Sequence, residues 1–432
     1  MKRNKLYVLI IILISGNVFA ADNSIRQALD DDSNLLLNYK NYYWNESYQE
    51  NENYSGRDVL EWTQALALSY RSGYINEFIG LDFGAHAVYD VGGVSKDFDD
   101  NYRPAGNRAI DGSKERSNVD TAYLKLKYDF GNDLILKGGY GKKQRHTFTY
   151  QGQFNRIAPN ASRGADIALE WQDHRAYFSY INGISKVNST DYIEDLLNYQ
   201  GDVIDYIGII GIIGKFDNIS YALETNKSDE FLSRTFAKVS YYSHLLDSDF
   251  ELRYRTEKEN GDKFEFEDHK SSFFNFIYRK NIEKVKLTLA YQQVFDGDLY
   301  NQNAANSYQS ATNSIMFEWE MPGIEGEQIA LMKFERPLDD VLWGGIKAEY
   351  TVMHGFEADH VIGYKRHENN FKITQDFGAI DPLFEGLTLQ WYQVWIRADG
   401  IDDGFRDNKH SELYTLYSGD ITRLNLNYNF NF

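Results

Sequence analysis

The chain has 432 residues, with 64 acidic against 45 basic side chains, a formal net charge of −19 and no cysteine. That balance excludes a nucleic-acid partner, which needs a basic face, and the missing cysteines exclude a disulfide framework. Aromatic residues make up 16% of the chain, 33 of them tyrosine, while mean hydropathy is −0.55; a helical membrane protein is excluded, whereas a β-barrel keeps a polar mean because only alternate strand residues meet lipid.

At the start of the chain, Lys2, Arg3 and Lys5 precede an apolar run over 6–14, and Val18-Phe-Ala20 offers small residues for a signal peptidase. The run is far below the roughly 20 residues that cross a bilayer as a helix. Residues 1–20 are therefore expected to be a signal peptide cleaved after Ala20, and residues 21–432 one exported domain. Alternation of apolar and polar side chains predicts strands over 60–71, 78–91, 119–130, 165–171, 175–181, 234–242, 250–255, 284–291 and 313–319, with turn residues between them. The stretch 206–216 is the most apolar, but Gly208, Gly211 and Gly214 oppose a helix. It reads as a strand whose glycines permit close packing against a plug or inward loop, or as a loosely patterned strand. Acidic runs at 30–32, 97–100, 257–262, 265–268 and 402–407 read as solvated loops.

The last ten residues alternate without a fault. Leu424, Leu426, Tyr428, Phe430 and Phe432 share one face, and Arg423, Asn425, Asn427, Asn429 and Asn431 the other. Such a strand, ending on an aromatic residue, suits the closing strand of a transmembrane antiparallel β-barrel, with Phe432 as the address for the barrel-assembly machinery. Tyr42-Tyr43-Trp44, Tyr241-Tyr242 and Trp391-Tyr392 with Trp395 read as girdle residues at headgroup depth. At roughly 20 to 25 residues per strand and loop, the domain accommodates about 16 to 20 strands, enough to enclose water.

The period of two also assigns charges to a face. Phe250, Leu252 and Tyr254 suit lipid, which turns Glu251, Arg253 and Arg255 inward; Lys125 and Lys127 lie opposite Leu124, Leu126 and Tyr128; Lys238 lies opposite Val239 and Tyr241; and Lys286 lies opposite Leu287 and Leu289. A cation on the lipid face costs up to about 2 to 4 kcal/mol at midplane, which supports the inward assignment. Acids such as Glu61, Asp82 and Glu318 are candidate lumen partners. The densest basic stretch, Lys142-Lys-Gln-Arg-His146, places Lys143 and Arg145 either on the positive wall of a constriction or at a strand end snorkelling toward lipopolysaccharide.

Tyr39-Lys-Asn-Tyr-Tyr-Trp-Asn45, the run from Glu61 to Tyr74 (EWTQALALSYRSGY) and Gly80-Leu-Asp82 resemble the opening three strands of the OprD family of substrate-specific outer-membrane porins, a likeness spanning 33–91. Thr147-Phe-Thr-Tyr-Gln-Gly152 resembles that family's inward-folded third loop. The resemblance implies a barrel of 18 strands with a narrow eyelet and a ladder of basic residues guiding small carboxylates; Lys40 sits where the family's first strand carries its basic residue. The family also includes chitoporins.

No nucleophile elbow, zinc-protease helix or phosphate loop occurs, and the nine histidines are scattered, His86 being expected in the lumen beside Asp82. A passive, non-enzymatic channel without cofactor or metal is expected, monomeric or a weak trimer, in contact with lipid and lipopolysaccharide. Its expected solutes are small anions, with Lys40, Asp82, Lys125, Lys127, Lys143, Arg145, Lys238, Arg253, Arg255 and Lys286 lining the path. A sugar channel using Trp44 and Tyr123 for stacking, and a non-channel receptor or adhesin, are the alternatives.

Overall fold

The computed structural model describes residues 23–49, 58–93, 102–103, 115–151, 156–187, 189–264, 268–300, 304, 323–402 and 418–432. The leader, the strand expected at 313–319, Gly152, Glu318 and the acidic residues at 97–100, 265–267 and 403–407 lie outside them. Within them, an 18-strand antiparallel barrel closes on itself. Its strands are β1 (Asn34–Gln49), β2 (Asp58–Arg71), β3 (Ile79–Gly93), β4 (Glu115–Asp129), β5 (Leu134–Lys143), β6 (Ala161–Trp171), β7 (His174–Ser185), β8 (Ile207–Phe216) and β9 (Ile219–Ser228). The ring continues through β10 (Leu232–Ser243), β11 (Ser248–Glu259), β12 (Lys270–Ile282), β13 (Val285–Phe295), β14 (Gln328–Pro337), β15 (Ile346–Phe356), β16 (Val361–Asp376), β17 (Leu387–Asp402) and β18 (Ser418–Asn431).

Each strand pairs with the next, and β18 returns to β1 with Leu36 opposite Asn431 and Gln49 opposite Ser418. Closure leaves no sheet edge, the condition for placing a sheet in hydrocarbon. The aromatic-ended strand therefore completes the ring, and Phe432 donates its amide to the carbonyl of Leu35 at 3.0 Å.

One end of the barrel has mostly short turns. Gln172-Asp173, Asp217-Asn218 and Glu283-Lys284 are two-residue links whose first residue has φ near +50° (51, 52 and 52°), the mirror-image turn that matches strand twist. By the usual polarity of outer-membrane barrels, this is the periplasmic end. The longer loops lie at the other.

Alternation fixes the two faces. On β11, Glu251 and Arg255 are buried inside while Leu252 and Tyr254 are about half exposed on the outer wall. Tyr241, Trp391 and Trp395 point outward as girdle residues should. Tyr42, Trp44 and Tyr392 correct that expectation: they sit on the inward register of their strands and are buried in the lumen. Glu257 is also a correction, because it belongs to the end of β11 and is buried rather than looped out into water.

Candidate substrate channel

Beyond Lys143, the chain turns into the barrel instead of continuing upward. Gly141 makes the departure possible, with φ +140° and a backbone so close to Ala122 that a Cβ would collide. Arg145 then forks onto Asp166 of β6, Nε to Oδ1 at 3.1 Å and Nη2 to Oδ2 at 2.9 Å, and also donates to the Ser162 carbonyl. Burial lowers the pKa of the His146 imidazole at the base of the loop.

The next residues are fastened to Glu224, an inward carboxylate on β9. It accepts from the Thr147 hydroxyl at 2.9 Å, the Phe148 amide at 3.1 Å, the amide and hydroxyl of Thr149, and the phenol of Tyr177. Asn226, on the same face, donates to the Thr149 carbonyl at 3.1 Å, and Phe148 stacks on Phe236 of β10 with centroids 4.9 Å apart. The far end of the loop meets another wall: Ile157 and Ala158 pack with Tyr42, Ala65 and Val88 of β1–β3, and Arg156 lies 4.3 Å from the Trp44 ring. The inward constriction loop is thus secured on both sides.

Glycine explains how the acids reach the loop. Tyr177 on β7 and Glu224 on β9 are separated by β8, and the Tyr177 ring lies flat across Gly211, where any Cβ would strike it. Tyr123 on β4 likewise crosses Gly139 of β5 to reach Asp166 at 3.0 Å. Of the two readings of 206–216, close approach holds at Gly211, although the neighbour is a tyrosine ring rather than a plug.

Two further segments fold in. Asn118 donates to the carbonyls of Ser189 at 3.1 Å and Asp191 at 2.8 Å, and Lys142 to that of Tyr192 at 2.6 Å, fixing the segment after β7. Glu257 accepts from Arg234 at 2.9 Å, Ser271 at 2.8 Å, Arg255 and the amide of Tyr300, while both arginines donate to the Tyr300 carbonyl. Tyr150, Leu196, Ile204, Phe264 and Tyr300 meet in one apolar cluster with the wall residues Ile181, Ile207 and Phe231. These tips seal one side of the lumen.

The partly exposed inward cations gather elsewhere. Lys238 of β10 lies 5.5 Å from the Phe148 ring and is the cross-strand partner of Arg253. Arg253 and Arg279 share the single carboxylate of Glu251, Arg279 at 3.3 Å. Toward the periplasmic end, Lys286 and Lys347 reach Glu335 at 3.4 and 2.9 Å, and Lys333, Lys347 and Lys372 reach Glu349 at 2.9, 3.0 and 3.0 Å. In both groups, cations outnumber acids.

Among the residues expected from sequence, Lys238 and Arg253 come together beside the constriction loop, and Lys286 joins the lysine group. Lys40 faces inward on β1 over Tyr42 at 5.8 Å. Lys125 pairs with Asp82 at 2.7 Å, and Lys127 approaches Glu77 at 4.0 Å near the short-turn end. Lys143 pairs with Asp166 at 3.0 Å and covers Tyr123 at 4.1 Å. Arg145 and Arg255 are corrections: both point inward but are buried against their acids, where they hold loops. His86 is another, since its partner is Asp120 and Asp82 belongs to Lys125. Arg279, Lys333, Lys347 and Lys372 were missed, although alternation opposite Tyr278, Met332, Phe334, Tyr350 and Phe371 carries the signal for them.

Cysteine substitution in this cysteine-free chain checks the assignment. A water-soluble thiol reagent should modify Arg253→Cys rapidly, and Arg255→Cys and Leu252→Cys slowly for different reasons, one being sealed beneath Tyr300 and the other facing lipid. Equal rates at 252 and 253 would mean the register is displaced by one residue.

A closed outer-membrane barrel whose aqueous lumen is narrowed by a fastened inward loop is a diffusion porin. Residues 28–432 match the family model for the outer membrane porin OprD family, and the chain belongs to that family. Solved structures agree in fold: OpdK of Pseudomonas aeruginosa, crystallised with vanillate, at 16% identity and TM-score 0.74 over 93% of this chain and 99% of that one; OccK9 (OpdG) of the same organism at 15% and 0.74 over 94% and 100%; and OccAB3 of Acinetobacter baumannii at 17% and 0.74 over 93% and 100%. A search of curated proteins finds no match.

Proposed function

We propose that this outer-membrane porin admits small carboxylates to the periplasm by passive, non-enzymatic diffusion. The supporting observation is the group beside the constriction loop, where Lys238, Arg253 and Arg279 outnumber the inward acids Glu251 and Asp249, next to the Phe148 ring. A surplus of positive charge in a narrow low-dielectric passage concentrates anions, and an adjacent ring offers an apolar face to the rest of the solute. The vanillate in OpdK is an anion of this class. The lysine group from Lys286 to Lys372 supplies a second positive stretch toward the periplasm. Sugar stacking finds less support: Trp44 is covered by Arg423 at 3.4 Å and Arg156 at 4.3 Å, and Tyr123 by Lys143. Export through the leader 1–20, assembly addressed by Phe432, and a monomeric or weakly trimeric state belong to the same proposal.

Neutralising Lys238→Gln with Arg253→Gln tests it in planar bilayers. Two charges about 6 Å from the path at a dielectric of about 80 are worth roughly 1.4 kcal/mol, so anion partitioning into the lumen should fall about tenfold at low salt. The difference should shrink as the Debye length contracts to about 3 Å at 1 M. Unchanged anion preference at low salt would overturn the carboxylate reading and leave the porin intact.

A further inference from the structure

Several links at the short-turn end are brief and polar and one, 244–247, exposes Leu245 and Leu246, but the two longest expose three large apolar side chains each. Residues 338–345 join β14 to β15, and residues 377–386 join β16 to β17. Between them they expose Val341, Leu342, Trp343, Ile380, Leu383 and Phe384, from 42% at Phe384 to 75% at Leu383. The links touch one another, since the backbone at Gly345 abuts Ala379 and Asp376.

Both lean toward the outer wall. The Trp343 indole donates at 2.6 Å to Gln375, which lies on the outward register of β16 with Phe371 and Ile373, and the Gln375 amide returns to the carbonyls of Gly344 at 3.0 Å and Asp376 at 2.7 Å. The Leu383 carbonyl accepts at 3.5 Å from Tyr428, a residue of the lipid-facing row of β18. The Trp343 indole and the Leu383 backbone thus lie beside the outer band.

Polar groups in the two links are turned inward on themselves, as a low-dielectric surface requires. Val341 and Leu342 donate their amides to Leu338, Ile380 and Asp381 to Phe377, and Phe384 to Asp381. Four acids follow suit, the exposed Glu385 apart: Asp339 accepts from the Gly345 amide at 2.7 Å, Asp381 from the Leu383 amide at 2.9 Å, Asp376 from the Gly378 amide at 2.9 Å, and Asp340 pairs with Arg336 at 2.9 Å and Lys284 at 3.0 Å.

We propose that these two links form a membrane-inserted keel that seats Val341, Leu342, Trp343, Leu383 and Phe384 at the headgroup and acyl boundary of the periplasmic leaflet. Trp343 then occupies the depth that indole rings favour. The β14–β17 sector would be gripped by lipid more deeply than sectors ending in Gln172-Asp173 or Glu283-Lys284.

Nitroxide labels on Val341→Cys and Leu383→Cys, with Asp133→Cys on the polar side of a short turn as reference, test this in liposomes of phosphatidylethanolamine and phosphatidylglycerol. Collision with oxygen should exceed collision with a water-soluble nickel chelate at 341 and 383, by a ratio several-fold above that at 133. Nickel access equal to that at 133 would overturn the keel, placing the links in periplasmic water. Protection from both agents would also overturn it, pointing to coverage by protein or a second copy of this chain. All three positions are exposed in the folded barrel, so the labels leave its core intact.

Discussion

Replacing Glu224 with alanine should release the constriction loop and convert a quiet, narrow channel into a wider, noisier one. The Glu224 carboxylate gathers Thr147, Phe148, Thr149 and Tyr177, every donor neutral, so no salt bridge replaces it when it is removed. Hydrogen bonds to a charged acceptor contribute about 1.5 to 3 kcal/mol each, and donors stranded in a dry site add to the loss. If the latch as a whole is worth only about 3 kcal/mol, the docked loop exceeds the released one by roughly 150-fold, and alanine brings the two populations close to parity. Mean conductance and current fluctuation should rise. Thr149→Val, which removes one hydroxyl, should shift the same quantities slightly. A Glu224→Ala channel with unaltered conductance and noise would show that Phe148 stacking on Phe236 and the Tyr150 cluster suffice to hold the loop.

Glu257→Ala should be the most damaging single substitution for stability. It strips the acid from two buried guanidinium groups, Arg234 and Arg255, and removes the acceptor for the Ser271 hydroxyl and the Tyr300 amide. Breaking a buried pair from one side costs about 3 to 5 kcal/mol, because the remaining charge is left uncompensated. Urea unfolding of the refolded barrel in micelles, read by heat-modifiable mobility, should show that loss. Lys270→Ala, which disrupts the exposed 3.3 Å pair with Asp296, is expected to change stability by less than about 1 kcal/mol. Similar losses for both would mean that water reaches Glu257.

The barrel was legible wherever outer-wall positions are apolar, as in the rows of β11 and β18. It faded where they are not. In β16, Lys365, His367 and Asn369 stand on the outward register, so its strand alternates polar with polar; β5 lost its signal to Gly138, Gly139 and Gly141. Facing also follows from a period of two, which is why Arg253 and Lys238 were placed correctly on the inner wall. Access to water does not follow from it. Arg255 is sealed by a carbonyl 45 residues further on, and Arg145 by Asp166 on the next strand. Glu257 stood at the head of an acidic run and read as solvated, because sequence spacing does not report that a loop will fold back and cover it.

Gly211 and Gly139 make the bore of this porin depend on volume left vacant. Each glycine yields its space to a neighbouring tyrosine, and the tyrosine spends its reach on an acid one strand further round the ring. A larger residue at either glycine evicts the ring, and a smaller residue in place of the tyrosine leaves a hollow and takes a donor from the acid. Tyrosine, glycine and acid are therefore exchangeable only as a set, whereas Lys238 and Arg253 are not bound into it. Solute preference in such a lumen can be retuned one side chain at a time; its width changes only when the set is broken.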